Sequence, residues 1–138
     1  MKQRRKIPGD FLEITIEQCK NEVPFLNSQD PEQKLKAITT FRKILSIPNG
    51  ISDNIQEVIN LGVVPDIIQL MCSDVEDVAF EAIWSITNIT SGTSEHTKYL
   101  IQLGVTEVLL HILLSNKMKL KEHAIWAIGN IAVPRPPH

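Results

Sequence analysis

The sequence predicts an all-α fold, a solenoid of stacked helical repeats, and three observations predict it. First, Phe80-Glu81-Ala82-Ile83-Trp84-Ser85-Ile86-Thr87-Asn88-Ile89 returns 42 residues later as Glu122-His123-Ala124-Ile125-Trp126-Ala127-Ile128-Gly129-Asn130-Ile131. Second, the same offset joins Leu61-Gly62-Val63 to Leu103-Gly104-Val105 and pairs Ile67 with Leu109, Ile68 with Leu110, Leu70 with Ile112 and Met71 with Leu113, without a gap. Third, Leu35, Ile38, Phe41, Ile44 and Leu45 fall at spacings of three, three, three and one, the stripe of a helix with one face in a core. A unit of this size cannot bury its apolar face alone, so neighbouring units must stack to make a continuous core.

Residues 1–27 read as a basic lead carrying a short helix at most around residues 11–19, since Pro8, Gly9 and Pro24 bracket that stretch. Asp30-Pro31-Glu32-Gln33 is a helix start: Asp30 as N-cap, Pro31 at the first helical position, Gln33 at the third. The helix runs to about Ser46, and Ile47-Pro48-Asn49-Gly50 breaks it. A short helix follows over 55–60, ended near Gly62, then one over 65–71 with Asp66 in its first turn. Ser73-Asp74-Val75-Glu76 matches a capping box that opens the helix carrying Trp84 and Asn88. The next unit repeats the order over 95–103, 106–114 and 119–132, and the Pro-rich tail at 133–138 cannot continue a helix. Short, longer, longest helix is the armadillo plan rather than a two-helix repeat. The expected organisation is a lead at 1–27, about three repeats within 28–132 (a partial first at 28–46, then 47–90 and 91–132) and the tail.

At 138 residues, 43% of them hydrophobic, the chain fits one domain with a core. Cys19 and Cys72 show no C-x-x-C spacing, which reads as a reduced intracellular protein without a disulfide. There is no apolar run of bilayer length, and Met1-Lys2-Gln3-Arg4-Arg5-Lys6 leads into Pro8-Gly9-Asp10 rather than a signal core, so cytoplasm and nucleus are the expected locations, with no membrane partner. Net charge is −2, but between Asn49 and Asn116 nine acidic residues face the single base Lys98. Such a field attracts cationic ligands and repels nucleic acid; the plain alternative is a solvated acidic surface. His96, His111, His123 and His138 lack zinc-ligand spacing, and Ser91-Gly92-Thr93-Ser94 lacks the strand and lysine of a phosphate loop. No cofactor, no metal and no enzymatic activity are expected.

In both copies Trp and Asn stand four apart, hence one above the other on a single helix face. One such pair would read as a core indole and an asparagine tied to a neighbouring turn. Two at an identical offset read as a binding ladder. Adjacent helices pack about 8–10 Å apart and an extended peptide rises about 3.3 Å per residue, so one step matches about three peptide residues. The Asn amide offers donor and acceptor to a peptide backbone, and the indole an apolar, cation-attracting wall for a lysine side chain.

The stretch from Trp84-Ser85-Ile86-Thr87-Asn88-Ile89-Thr90-Ser91-Gly92-Thr93 to Thr97 resembles the second armadillo repeat of importin-α (karyopherin-α), and Ala124-Ile125-Trp126-Ala127-Ile128-Gly129-Asn130-Ile131-Ala132 its third. Phe41-Arg42-Lys43-Ile44-Leu45-Ser46 resembles the end of the first, which likewise lacks the Trp/Asn pair. The resemblance covers residues 30–132. It implies a right-handed superhelix of three-helix repeats acting as a nuclear import adaptor that binds lysine-rich nuclear localisation signals. Trp84, Asn88, Trp126 and Asn130 match the family's ladder, and Ser91, Gly92 and Thr97 its pocket for the key lysine. His123 stands where the family usually has Gln, and Val133-Pro134 where it has Gly-Asp, the acid that pairs with that lysine. Importin-β is implied as a partner through a basic segment of which Lys2-Gln3-Arg4-Arg5-Lys6 stands here. The chain reads as stopping after the third repeat, with an uncovered last helix from which self-association is expected. Two other functions stay open: a non-transport fragment that sequesters cargo or partners, and a general armadillo interaction scaffold.

Overall fold

The computed structural model describes residues 14–48 and 53–133. In order they form α1 (Ile16–Glu22), a 3-10 helix (Val23–Asn27), α2 (Pro31–Ser46), α3 (Asn54–Asn60), α4 (Val64–Leu70), α5 (Glu76–Thr90), α6 (Ser94–Gln102), α7 (Val105–Leu113) and α8 (Met118–Ala132). All the regular structure among these residues is helical. The unit is two short helices of equal length and one long one, 7, 7 and 15 residues in α3 to α5 and 9, 9 and 15 in α6 to α8, so the expected steady lengthening within a unit is corrected. α1 and the 3-10 helix pack on α2, giving the N-terminal helices the same short, short, long order.

Side-chain caps decide where several helices begin. Asp30 accepts from the Glu32 N–H at 3.0 Å with Pro31 at the first helical position, and Asp53 accepts from the Gln56 N–H at 3.2 Å. At α1 the capping box is complete: Gln18 Oε1 accepts from the Thr15 N–H at 2.8 Å while Thr15 Oγ1 accepts from the Gln18 N–H at 3.2 Å. The box expected at Ser73 does not form. Its hydroxyl accepts from the Val75 N–H at 3.1 Å, a turn two residues long, which moves the N-cap to Val75 and starts α5 at Glu76. Gly62 and Gly104 close α3 and α6 at φ of 76° and 88°, the left-handed turn that lets the chain reverse into α4 and α7.

The long helices α2, α5 and α8 lie side by side, with α5 in the middle. Between them sit Ile38, Phe41, Ile44 and Leu45 of α2, Val78, Ile83, Ile86 and Ile89 of α5, and Leu120, Ala124 and Ala127 of α8, all buried. Each fully buried Ile or Phe contributes about 1.5–3 kcal/mol relative to exposure. Cys19 and Cys72 are both free thiols. Burial, helped by the nearby Glu22 carboxylate, pushes the Cys19 thiol up to about 12, which keeps it protonated and idle. Cys72 is exposed. Among the described residues no helix is long and apolar enough to cross a membrane.

Candidate functional site

Because α2, α5 and α8 stack, residues 42 apart in sequence meet in rows. One row is Arg42, Trp84 and Trp126; a second is Ser46, Asn88 and Asn130; a third is Thr39, Glu81 and His123. The first and third interleave. The Arg42 guanidinium carbon lies 4.3 Å from the Trp84 ring centroid, a cation–π contact. Its nitrogens donate to Glu81, Nε to Oε2 at 2.8 Å and Nη2 to Oε1 at 3.2 Å, a fork that fixes the plane of the guanidinium over the indole. Thr39 Oγ1 donates to the same carboxylate at 3.4 Å. Next comes the His123 imidazole, 5.8 Å from Trp84 at a 32° tilt and 6.0 Å from Trp126 at 8°. Phe80 closes the side, edge-on to both Trp84 at 5.9 Å and His123 at 5.0 Å. Arg42, Trp84, His123 and Trp126 therefore form one pile across three helices.

The second row is a polar seam. Asn88 Nδ2 donates to Ser46 Oγ at 3.1 Å, and Ser46 Oγ donates on to the Arg42 carbonyl at 2.8 Å. One repeat later Asn130 Nδ2 donates to Thr90 Oγ1 at 3.0 Å. Each asparagine thus ties its own long helix to the one before it.

The structure places the sequence-derived candidates unequally. Trp84 is 5% exposed and Asn88 1%, whereas Trp126 is half-buried and Asn130 is 4% exposed. Ser91, Gly92 and Thr97 gather at the turn from α5 to α6. Ser91 Oγ donates to the Asn88 carbonyl, and Thr97 Oγ1 donates to the Thr93 carbonyl at 3.4 Å. A side chain at Gly92 would strike His96 Nδ1, so the turn needs glycine there for space. His96 Nδ1 accepts from the Thr93 N–H at 3.1 Å, which puts the ring proton on Nε2, 3.1 Å from Gln56 Oε1. Beside Thr97 a groove of about 230 Å³ is lined by Ser94, Thr97, Lys98, Ile101, Ile131 and Val133. The carboxylate expected opposite this pocket from the resemblance is replaced at Pro134, which lies outside the described residues, as does the basic Lys2-Gln3-Arg4-Arg5-Lys6.

Sequence reasoning missed Arg42, Ser46, Glu81, Phe80 and Thr90 as parts of this face. The signal was present: subtracting 42 from 84 and 88 gives Arg42 and Ser46, the first step of the same rows.

The armadillo/beta-catenin-like repeat model matches residues 52–91 and 93–133. Importin subunit alpha-B of Dictyostelium discoideum is 38% identical over 95 residues, 63% of this chain and 18% of that protein. Importin subunit alpha-1b of Oryza sativa subsp. japonica is 46% identical over 67 residues, 48% of this chain and 12% of that protein. The chain therefore spans less than a fifth of the length of these relatives. Among solved structures, a designed armadillo repeat protein in complex with the peptide (KR)4 superposes with a TM-score of 0.76 at 29% identity, over 83% of this chain and 46% of that one. An engineered protein superposes at 0.77 and 29%, over 84% and 46%. By the match of both repeats and by its stacked short, short, long helices, the chain belongs to the armadillo/beta-catenin-like repeat family.

Proposed function

We propose that this chain is a peptide-binding adaptor that holds lysine-rich signals of the nuclear localisation type, extended across the long helices, and that it works by binding rather than catalysis in the cytoplasm and nucleus. The observation that carries the reading is the repetition of the Trp/Asn pair on the adjacent helices α5 and α8. A designed armadillo protein that binds alternating lysine and arginine, and importin subunits alpha among the relatives, support it. The half-buried Trp126 offers its indole to a lysine stem. Asn88 and Asn130 each use one amide hydrogen to tie their helix to the one before it and are nearly buried, so they hold the ladder's spacing while the indole of Trp126 meets the peptide. Ser91, Gly92 and Thr97 receive a lysine at the α5–α6 turn through neutral oxygens. Importin-β would be met through the N-terminal basic residues, and self-association through Leu110, Leu114, Met118 and Ile125, which are exposed.

Titration of a lysine-rich signal peptide tests this. Trp126→Ala is expected to weaken binding by about 1 kcal/mol or more, as truncation of an aromatic anchor does. Parent-like affinity in that variant would remove the ladder from the binding site. A second reading is favoured by the two inter-helix asparagine bonds: the Trp/Asn pairs cement the stack, and a general scaffold binds its partner elsewhere. In that case Asn88→Ala lowers stability and leaves peptide affinity alone.

A further inference from the structure

The inference concerns which steps of the ladder are open, and it rests on the peptide-binding reading above. A lysine stem lying between two indole faces needs van der Waals contact with each, about 3.5–4.0 Å on either side. In this chain the interval between Trp84 and Trp126 already holds a ring. The His123 imidazole lies 6.0 Å from Trp126 and within 8° of parallel, 5.8 Å from Trp84, and Phe80 backs it edge-on at 5.0 Å. His123 is 2% exposed, so it fills the interval rather than hanging over it. The Arg42 guanidinium covers Trp84 at 4.3 Å. The carboxylate nearest this step, Glu81, already receives two N–H bonds from Arg42. Trp84 thus meets both a cation of its own chain and an imidazole, and the adjacent acid is paired. Trp126 stacks on His123 and keeps part of its surface in solvent.

We propose that His123 is a specificity-determining residue: it closes the interval between Trp84 and Trp126, so that this face takes a peptide cation against Trp126 and none at the Trp84 step. The two tryptophans, at equivalent positions one repeat apart, then have different roles. Trp126 contacts peptide, and Trp84 positions Arg42 and His123. A ligand for this face needs one lysine, with a second lysine about three residues away adding little, because one repeat spans about three extended residues.

An alanine scan of a lysine-rich peptide, read by calorimetry against the parent protein and against His123→Ala, tests the assignment. In the parent, replacing one lysine should weaken binding at least tenfold, while replacing the lysine three residues away changes it less than threefold. In His123→Ala, with folding checked by thermal melting, the interval opens and that second lysine should become worth tenfold or more. Two lysines of equal weight three residues apart in the unmodified protein would overturn the inference, whatever the variant does. So would a folded His123→Ala with the parent's profile. If neither protein binds any lysine-rich peptide, the peptide-binding reading fails and this inference with it, whereas equal lysines in the parent leave that reading standing and sink the inference alone.

Discussion

In α5 every residue over 82–90 is buried, whereas in α8 burial is confined to Leu120, His123, Ala124, Ala127 and Asn130. The two helices share the apolar and Trp/Asn positions of one repeated motif, so at those positions the difference lies in their neighbours. α5 sits between α2 and α8, with α4 beneath it; α8 packs on α5 and α7. The sharpest case is a pair of isoleucines: Ile83 is 0% exposed and its counterpart Ile125 62%. A repeat protein writes the same residue into two physical roles and lets position in the stack choose between them. The same holds for the tryptophans, one inside the pile and one at its open end.

The largest expected effect tests this directly. Ile83→Ala should destabilise by about 4 kcal/mol, through lost transfer energy and the cavity left in a core that relaxes only partly. Ile125→Ala should stay within about 0.5 kcal/mol, as exposed substitutions do. Urea unfolding of both variants measures the two losses. Equal values would mean that Ile125 is covered in solution, and the contrast between the helices would fail.

The next effect compares Glu81 with His123, the same position one repeat apart. Glu81→Gln takes the negative charge away from the carboxylate that receives two N–H bonds from Arg42, whose side chain is 4% exposed, and so weakens the pairing of a buried cation. Because the Glu81 side chain is itself 15% exposed, the loss should fall at the low end for such pairs, about 3 kcal/mol. Adding Arg42→Met to Glu81→Gln should restore most of it, since an apolar stem can lie on Trp84 without needing an anion. A double variant no more stable than Glu81→Gln alone would show that Arg42 acts through the indole rather than through charge.

How much of this was legible depended on whether a signal was local or lay between repeats. Helices α2, α6 and α8 stood in the sequence to within a residue or two, because caps, apolar spacing and the 42-residue offset are short-range patterns. The two capping motifs show the limit. Ser73-Asp74-Val75-Glu76 fits the pattern and forms no box, since the serine hydroxyl reaches the nearer Val75 N–H; Thr93-Ser94-Glu95-His96 ends in histidine rather than Glu or Gln and forms one, with an imidazole nitrogen doing the carboxylate's work. The rows of the candidate face were half legible. Trp84, Asn88, Trp126 and Asn130 declared themselves by duplication. Arg42 and Ser46 did not, because the first repeat fills the same positions with other chemistry, and only the packing of α2 on α5 makes a guanidinium equivalent to an indole. The burial of Trp84 and Asn88 was illegible for the same reason: nothing in a repeated motif says which copy has neighbours on both sides.

The asparagine seam comes next in size. Asn88→Ala should lower stability by about 1–2 kcal/mol, leaving the buried Ser46 hydroxyl with its bond to the Arg42 carbonyl but without the amide it accepted from. Asn130→Ala should cost about 1 kcal/mol, since Thr90 keeps its bond to the Thr87 carbonyl and α8 is the less enclosed helix. Thermal melts of the two variants give the difference. A larger loss at Asn130 would place the stability of the stack in α8 rather than α5.

The smallest effect runs the other way. Gly129 sits in the last turns of α8 and is exposed, and a Cβ built there would meet nothing within 4 Å. Its counterpart in α5 is Thr87, buried, with Oγ1 donating to the Ile83 carbonyl at 2.8 Å and reaching the His123 carbonyl at 3.5 Å. The threonine is thus tied to both helices of the interface, whereas a side chain added at the glycine meets open space. Glycine in a helix interior is less favourable than alanine because the unfolded chain has more freedom to lose. Gly129→Ala should therefore raise stability by about 0.5–1 kcal/mol, and Thr87→Ala should lower it by about 1 kcal/mol through the two contacts. Opposite signs at equivalent positions are the most demanding form of the contrast between α5 and α8. If Gly129→Ala destabilises instead, a partner or a further segment approaches α8 closely at that glycine, and the helix is not open on that side.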